Sequence, residues 1–492
     1  MKKFSNTGGV GLIHFAGLEP VVESLSRYID VLEIEPQASW FKESLESDSF
    51  IIDQRITSFL RDCPQPKIFH GVGFPIGGTI LPHATHFKTL QEHAHILQPL
   101  YISEHLSFNK YTDAAGTIHQ ANFLLPPVQN EQGITAAVRN IRYYKEQIDL
   151  PFAFETGTNY LHPQPGEIPD GEFVARIAEE SDSYILLDLH NLLANEKNGR
   201  QKVRDFIKQL PLERVIEIHL AGGMYYKDYY LDAHSAISST ELFDLSREII
   251  RMLPALQNII FEMLPENLNR TISMTDIEKQ LIEMHTLWDV RGSASKQTQL
   301  QRPISDCTNT ITPQHWEYTL GSILNNHAEE NELTKALVSD AGTRIIQDLV
   351  FEFRASAILG SLKMTCRLIK LSIGSKNFDA LLREYCATHP SDLFIFASAE
   401  RFAKYLSTLN LKIPHLKTLL EFELASSYTY IDGKTRTVNF NCDPFILIES
   451  LVNYKKPVLA NRVEAIYAVD IQPDDVYQKS KPLMQYNTVL HT

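Results

Sequence analysis

The stretch Tyr184–Asn191, YILLDLHN, joins a buried strand to a cluster of polar side chains. Its first four residues are apolar, as expected for a strand that is covered on both faces in a parallel sheet. Asp188, His190 and Asn191 follow, so a carboxylate, an imidazole and an amide lie where the strand ends. Such an end is either an ordinary polar turn or part of a metal site. Recurrence of the pattern along the chain favours the metal site.

Short apolar runs alternate with longer amphipathic segments up to about residue 290. The predicted strands are Val10–Phe15, Val31–Glu35, Ile68–Phe74, Tyr101–Phe108, Phe152–Glu155, Tyr184–Asn191, Val215–Ala221 and Ile259–Met263. The predicted helices are Pro20–Tyr28, Phe41–Leu60, His86–Leu97, Gly133–Gln147, Gly171–Glu180, Lys202–Leu210, Thr240–Met252 and Asp276–Leu287. This alternation predicts an α/β fold, a (β/α)8 TIM barrel, with an open doubly wound sheet as the alternative.

At 492 residues the chain is long enough for a barrel and a second domain. We predict a barrel domain over 1–290, a polar linker over 291–312 and a smaller α+β domain over 313–492. The second domain begins with helical patterns, and residues 427–441, SYTYIDGKTRTVNFN, predict two strands around an Asp-Gly turn. Within the barrel, the segment Asn109–Pro127 predicts a long loop that could cover the mouth.

Composition excludes several classes of function. A formal net charge of −14 argues against a nucleic-acid-binding surface, because phosphates are held by clustered Lys and Arg. The sequence has neither an apolar run long enough to span a membrane nor an N-terminal secretory signal, so a cytoplasmic location is expected. The five cysteines are odd in number and include no CxxC pair, which disfavours a disulfide framework or a zinc ribbon.

Metal-ligating residue types recur at the ends of the predicted strands: His70, His105, Glu155, Asp188, His190, Asn191, Glu217, His219, Asp232, His234 and Glu262. A parallel barrel brings the carboxyl ends of its strands together, so these side chains can meet. Imidazoles and carboxylates suit iron, zinc or manganese. Crowded carboxylates repel one another unless cations lie between them, which favours two or three metal ions over one. Each residue alone also fits a structural role, and Glu217 could pair with an Arg inside the barrel.

Eight motifs occur in this order between residues 5 and 285: HGVGF (His70–Phe74), SEHLSF (Ser103–Phe108), FLLPP (Phe123–Pro127), FETGTNYL (Phe154–Leu161), LLDLHNLLAN (Leu186–Asn195), EIHLAGG (Glu217–Gly223), DAHS (Asp232–Ser235) and FEM (Phe261–Met263). The series resembles the DUF692 family of multinuclear non-heme iron oxygenases, whose best-known type acts in methanobactin biosynthesis. The resemblance implies a xylose-isomerase-like TIM barrel that holds two or three irons. It also implies O2 as co-substrate and oxidation of cysteine residues in a ribosomally made precursor peptide.

The resemblance also implies how the ligands are shared among the irons. One iron would be held by His70, His105 and Glu155. Glu155 would bridge to a second iron, held by Asp188, His219 and Glu262 as well. Asn191, Asp232 and His234 would hold a third.

This chain departs from the family pattern at two positions. His190 lies where many members have Asn, so it is a candidate catalytic residue, a further ligand or only a substitution. Leu264 lies where many members have an acid, so any proton transfer that this acid performs in the typical enzyme would require another group here.

The segment Phe396–Ala425 resembles the partner proteins that accompany these oxygenases. On that basis the chain is predicted to be a fusion of oxygenase and peptide-docking domain that needs no separate partner protein. An unrelated helical domain is the alternative.

Two other functions fit the same residues. A divalent-metal-dependent isomerase or endonuclease could use this barrel rim, since fold does not fix function. A non-catalytic metal-binding protein is the other alternative. Metal identity and a requirement for O2 separate the isomerase or endonuclease from the oxygenase. A non-catalytic protein would show no peptide turnover whatever metal is loaded.

Overall fold

The computed structural model of the protein describes residues 8–293, 304–390, 392, 394–458 and 466–477. The chain divides into two compact units. The first comprises Met1–Trp40 and Gln54–Asp348, and the second comprises Phe41–Asp53 and Leu349–Thr492.

The first unit is built on a closed barrel of eight parallel strands: β1 (Gly9–His14), β2 (Val31–Ile34), β3 (Lys67–Gly71), β4 (Ile102–His105), β5 (Phe152–Glu155), β6 (Tyr184–Asp188), β7 (Val215–Leu220) and β8 (Asn258–Phe261). Neighbouring strands follow chain order, and β8 pairs with β1 to close the barrel. The strands are almost entirely buried, as their apolar runs predict. The predicted (β/α)8 barrel is confirmed, and the open sheet is excluded.

Eight helices lie between the strands of the described barrel, and a ninth, α9, follows β8: α1 (Glu19–Leu25), α2 (Gln54–Asp62), α3 (Ala84–Leu97), α4 (Glu131–Gln147), α5 (Asp170–Glu180), α6 (Leu189–Lys197), α7 (Val203–Gln209), α8 (Thr240–Ile250) and α9 (Met274–Trp288). Polar capping residues determine where several of these helices begin. The side chain of Asn130 accepts from the backbone of Gly133, and Ser273 forms a capping box with Asp276. No helix in the described parts of the chain is both long and apolar enough to cross a membrane.

Two predicted elements of the barrel differ from the structure. The predicted helix Phe41–Leu60 is wrong in its first half, where Trp40–Lys42 and Phe50–Ile52 pair as short strands. The predicted loop Asn109–Pro127 contains most of a hairpin, in which Phe108–Thr112 pairs with Ile118–Leu125. The hairpin forms because Asp113 closes the turn, accepting hydrogen bonds from the backbone of Ala115 and Thr117. A second hairpin, Gly222–Tyr226 with Tyr229–Ala236, follows β7.

The first unit extends well beyond the predicted boundary at residue 290. It includes α10 (Pro313–Leu324) and α11 (Glu332–Ser339). The indole of Trp316 donates to the carbonyl of Pro126 at 2.8 Å, and Glu317 accepts from the backbone of Thr79 at 2.8 Å. These contacts attach α10 to the barrel loops. The predicted division into 1–290, 291–312 and 313–492 therefore differs from the compact units.

The second unit is mostly helical. The division of the chain falls within α12 (Ala341–Ser361), which is followed by α13 (Lys363–Ile373), α14 (Ser375–Thr388), α15 (Ile395–Thr408), α16 (Leu416–Asp432), α17 (Pro444–Val452) and α18 (Pro473–Tyr477). Strands Arg436–Phe440 and Tyr467–Ile471 form an antiparallel pair. The first of the two strands predicted within residues 427–441 is wrong, because α16 extends to Asp432 and is ended by Gly433, whose backbone is left-handed.

We predict that Glu423→Ala destabilises the second unit by about 2 kcal/mol, because two buried backbone N–H groups lose their acceptor. The carboxylate of Glu423 accepts from the backbone of Met364 at 2.7 Å and of Thr365 at 2.8 Å, in the first turn of α13. Hydrogen exchange of the α13 amides measures the change.

Glu421→Ala is the matched control, since Glu421 lies on the same helix and is exposed. All three tryptophans, Trp40, Trp288 and Trp316, belong to the first unit, so tryptophan fluorescence reports whether the barrel is unaffected. Equal exchange in the two variants would contradict the capping role.

Candidate metal centre

The carboxyl ends of the barrel strands deliver the predicted ligands to one place. His70 lies in β3, His219 in β7, and Glu262 directly follows β8. His105, Glu155 and Asp188 are the last residues of β4, β5 and β6. The parallel barrel thus brings together residues that are far apart in sequence.

His70, His105 and Glu155 form the first group. Glu155 Oε2 lies 3.3 Å from His70 Nε2 and 2.7 Å from His105 Nε2. The other ring nitrogens have their own partners: His70 Nδ1 is 2.8 Å from Ser103 Oγ, and His105 Nδ1 is 2.8 Å from the carbonyl oxygen of Gly71. These contacts fix both rings so that Nε2 faces Glu155. The three ligand atoms lie within 4.8 Å of one another, close enough for one metal ion.

Glu155 belongs to a second group as well, with Asp188 and His219. His219 Nδ1 lies 3.2 Å from Glu262 Oε1, which adds a fourth side chain. Asp188 Oδ1 caps α6 by accepting from the backbone of Asn191 at 2.8 Å, whereas Asp188 Oδ2 is buried without a hydrogen-bond partner. The carboxylate of Glu155 is therefore shared between two candidate metal sites.

Two carboxylates that the sequence analysis did not select border this centre. Glu33 lies in β2 with no exposed surface, and its Oε1 is 3.1 Å from His219 Nε2. Glu33, His219 and Glu262 also form a group that could hold a metal. Glu35 directly follows β2, and burial raises its pKa to about 8. The signal for these two carboxylates in the sequence is the acidic residues of VLEIE (Val31–Glu35), an otherwise apolar run.

Electrostatics at the centre reflects the crowding of acids. Burial, followed by the charge of Glu155, raises the pKa of Asp188 well above its usual value. Burial also raises the pKa of Glu33 well above its usual value, despite the attraction of His219. Burial opposes ionisation of Glu155 as well, but the adjacent His105 and His70 outweigh it and hold the Glu155 pKa well below its usual value. Cations between the carboxylates would relieve this repulsion.

The remaining predicted residues lie beside the second group. Asp232 Oδ1 is 2.8 Å from His234 Nε2 and 3.2 Å from His190 Nδ1, and His234 Nε2 is 3.2 Å from Glu262 Oε2. Asn191 Nδ2 donates to Glu155 Oε1 at 3.1 Å. Glu217 lies deeper, with Oε1 3.8 Å from His219 Nε2.

The donor set fits metal ions. Asp188 Oδ2 is buried without a hydrogen-bond partner, and four other buried atoms have no partner beyond a facing imidazole or carboxylate: Glu155 Oε2, His219 Nδ1, Asp232 Oδ1 and His234 Nε2. Unsatisfied buried polar atoms are costly, and metal ions would satisfy these. Imidazole nitrogens and carboxylate oxygens without thiolates are typical of iron, zinc and manganese sites.

Residues 24–269, half of the chain, match the family described as RiPP precursor modification enzyme MbnB/TglH/ChrH. The chain belongs to this family. RiPPs are ribosomally synthesised and post-translationally modified peptides, so the MbnB/TglH/ChrH family implies a peptide-modifying enzyme and a precursor peptide as substrate. The family membership predicted from the sequence is confirmed.

The relatives of this MbnB/TglH/ChrH family member include proteins described as UPF0276. One from Anaeromyxobacter sp. strain Fw109-5 is 25% identical over 235 residues, which cover 47% of this chain and 81% of the relative. Another from Chromobacterium violaceum is 26% identical over 228 residues, which cover 46% of this chain and 80% of the relative.

Solved structures with a similar arrangement include the D-psicose 3-epimerase from Clostridium cellulolyticum H10. It has 12% identity and a TM-score of 0.36, covering 57% of this chain and 97% of the epimerase. A xylose isomerase domain containing protein from Salmonella typhimurium LT2 has 12% identity and a TM-score of 0.38, covering 58% of this chain and 99% of that protein.

We predict that Asp188→Asn has opposite effects on the metal-free and metal-loaded protein. Asn retains the cap of α6 but removes a charge from a buried acidic cluster. Because burial and the neighbouring carboxylates disfavour an ionised Asp188 in the metal-free protein, its replacement should increase the unfolding free energy of the metal-free first unit at pH 7. Urea unfolding followed by tryptophan fluorescence, with and without Fe(II) under anaerobic conditions, measures both effects.

The metal-dependent increase in stability should be smaller in Asp188→Asn than in the parent. Asp170→Asn is the control, since Asp170 pairs with Arg200 and its loss should destabilise both forms. A metal-free Asp188→Asn protein that is less stable than the parent would show that Asp188 has only a structural role.

Proposed function

We propose that this enzyme uses iron and O2 to oxidise cysteine residues of a ribosomally made precursor peptide. The observation that carries the proposal is the shared carboxylate of Glu155, which belongs to two groups of metal-ligating atoms. A carboxylate between two nitrogen- and oxygen-rich groups suits a pair of iron ions. The family membership supports the peptide substrate.

His70, His105 and Glu155 would hold one iron, and Glu155, Asp188, His219 and Glu262 would hold the other. Bound iron would supply the one-electron chemistry and O2 activation that amino acid side chains lack. Electrons would pass from the cysteine residue of the peptide to O2, which is the oxidant.

The chain's own residues would prepare the centre for this reaction. Ser103 and the backbone of Gly71 hold the two imidazoles of the first group in orientation. Glu33 lies against His219 Nε2, which leaves Nδ1 facing Glu262 and the shared site. The ligands Glu155, Asp188 and His219 are at most 2% exposed, so water is largely excluded from them.

We also infer that the enzyme acts in the cytoplasm. All five cysteines are free, as is usual in reducing compartments. A ribosomally made peptide would also present its cysteines in reduced form there.

We predict that coexpression with a cysteine-containing precursor peptide, sought among short reading frames near the gene, changes the mass of that peptide only when iron and O2 are supplied. Cys→Ser substitution in that peptide, or Glu155→Ala in the enzyme, should abolish the change, because the first removes the target and the second removes the shared ligand. Intact-mass and fragmentation spectra of the peptide provide the measurement.

Turnover that needs zinc or manganese, and proceeds without O2, would contradict the proposal and favour the isomerase or endonuclease alternative. Metal binding with no change in any peptide would favour a metal-binding protein.

The second unit is proposed to dock the precursor peptide. It contains a cavity of about 360 Å³ with apolar residues such as Phe378 and Leu382 in its wall. Four cationic side chains also line it: Lys363, Arg367, Lys370 and Arg383. Only Glu352 and Asp379 are acidic among its lining residues, although the chain as a whole is strongly acidic. An acidic peptide segment with an apolar side chain would complement this cavity.

Aromatic rings hold two of these cations in place. The guanidinium of Arg383 lies 4.0 Å from the ring centre of Phe351, and that of Arg367 lies 5.0 Å from the ring centre of Tyr454. Ordered cations lose less conformational entropy when they bind an anionic partner.

We predict that Lys370→Glu weakens binding of the unmodified precursor peptide about tenfold, which corresponds to about 1.4 kcal/mol. Fluorescence anisotropy of labelled peptide with the full chain gives the dissociation constant. Lys376→Glu is the control, since it makes the same charge change at an exposed position outside the lining of the cavity. Equal binding by the two variants would contradict docking in this cavity.

A further inference from the structure

Glu104 is a buried carboxylate in β4 that points away from the metal centre. It is 1% exposed and lies between Ser103 and His105. Both of these neighbours face the barrel interior: Ser103 Oγ is 2.8 Å from His70 Nδ1, and His105 Nε2 is 2.7 Å from Glu155 Oε2. Because successive side chains of a strand point to opposite faces, Glu104 points toward the surrounding helices. A carboxylate buried in that layer requires partners other than a metal ion.

Both oxygens of Glu104 accept hydrogen bonds. Oε1 accepts from the backbone N–H of His105 at 3.0 Å, and Oε2 accepts from the hydroxyl of Tyr144 in α4 at 3.2 Å. Oε1 also lies 3.6 Å from His105 Nδ1, the ring nitrogen that contacts the carbonyl of Gly71. The carboxylate is therefore fixed beside a ring whose other nitrogen faces the metal centre.

Two neighbours of Glu104 determine where its Oε2 lies. Position 71 has to be glycine, because a Cβ there would come within 2.3 Å of Glu104 Oε2. The Tyr144 hydroxyl also lies 3.3 Å from the carbonyl oxygen of Phe74 and 3.4 Å from His86 Nε2. Burial, followed by the charge of Glu104, raises the pKa of Tyr144 well above its usual value. Tyr144 thus remains protonated and able to donate.

The charge of Glu104 acts on the imidazole of His105. Burial opposes a positive charge on His105, but Glu155 and Glu104 outweigh it and hold the pKa of His105 well above its usual value. A carboxylate near the non-ligating nitrogen of a histidine makes the other nitrogen a stronger metal ligand. The field that stabilises a proton on this ring would therefore also stabilise a metal ion bound at Nε2.

We propose that Glu104 is a positioning residue that acts through His105, strengthening its bond to the metal ion of the first group. The inference rests on the proposed function, because it concerns the iron that His70, His105 and Glu155 would hold. A nearby negative charge favours the more positive oxidation state of a metal ion. Glu104 therefore lowers the reduction potential of that iron.

Glu104→Gln tests this role, because glutamine keeps the size of the side chain and an acceptor oxygen but removes the charge. Anaerobic titration of the chelator-treated full chain with Co(II), followed by visible absorption, gives the metal affinities, and the site lost in His70→Ala identifies the first group. We expect Glu104→Gln to bind Co(II) at this site about tenfold more weakly than the parent. A redox titration of the iron-loaded protein should give a more positive potential.

Glu172→Gln is the matched control. Glu172 is another buried carboxylate of the first unit, and it accepts from the backbone and hydroxyl of Ser305. Its replacement should change neither the Co(II) affinity nor the potential. Tyr144→Phe leaves the charge of Glu104 but removes the donor to Oε2, so it should weaken Co(II) binding by a smaller factor than Glu104→Gln.

Parental affinity and potential in Glu104→Gln, or equal changes in Glu104→Gln and Glu172→Gln, would overturn the inference. If tryptophan fluorescence shows that Glu104→Gln does not fold, unchanged Co(II) affinity in Tyr144→Phe would overturn it instead. Failure of peptide oxidation would contradict the proposed function but leave the Co(II) affinities intact, so the two failures are distinguishable.

Discussion

The mutual repulsion of buried carboxylates at the carboxyl end of the barrel is the constraint on which the rest of the site depends. Glu33, Asp188 and Glu217 have no exposed surface, and Glu155 and Glu262 are at most 5% exposed. Keeping such charges together away from water is unfavourable unless they are protonated or lie beside cations. The imidazoles of His70, His105 and His219 offset part of this cost, and bound metal ions would offset the rest.

This repulsion also explains why the ligand side chains are held by hydrogen bonds from neighbouring groups. Carboxylates can bridge metal ions only if their positions are fixed, and backbone groups and hydroxyls fix them here. The backbone of Asn191 holds one oxygen of Asp188, and the side chain of Asn191 holds one oxygen of Glu155. The remaining oxygens face the centre of the cluster. Binding energy from metal ions would therefore add directly to the stability of the barrel.

Much of the barrel and its rim could be predicted from the sequence. Strands buried on both faces produce continuous apolar runs, and a parallel barrel places polar residues that follow such runs at one end. Glu33 was missed because its depth depends on the stagger between strands. It pairs with Ile13 of β1 and Ile68 of β3, well inside the barrel. Sequence spacing does not reveal that stagger.

Contacts between segments that are distant in sequence explain why the predicted helix Phe41–Leu60 and the first predicted strand within residues 427–441 are wrong. Phe41–Asp53 follows a barrel strand but belongs to the second unit, where Phe41 contacts Phe396 and Asp53 accepts from Tyr430. Ser427–Asp432 has a β-favouring composition, yet it completes a helix that packs in the core of the second unit, since tertiary packing overrides local propensity.

Anomalous diffraction at the iron edge from anaerobically grown crystals of the iron-loaded full chain tests the central claim most directly. The account predicts one iron peak on each side of the Glu155 carboxylate. One peak should contact His70 and His105, and the other should contact Asp188, His219 and Glu262. A single iron peak, or peaks that Glu155 does not join, would contradict the shared carboxylate and the oxygenase built on it.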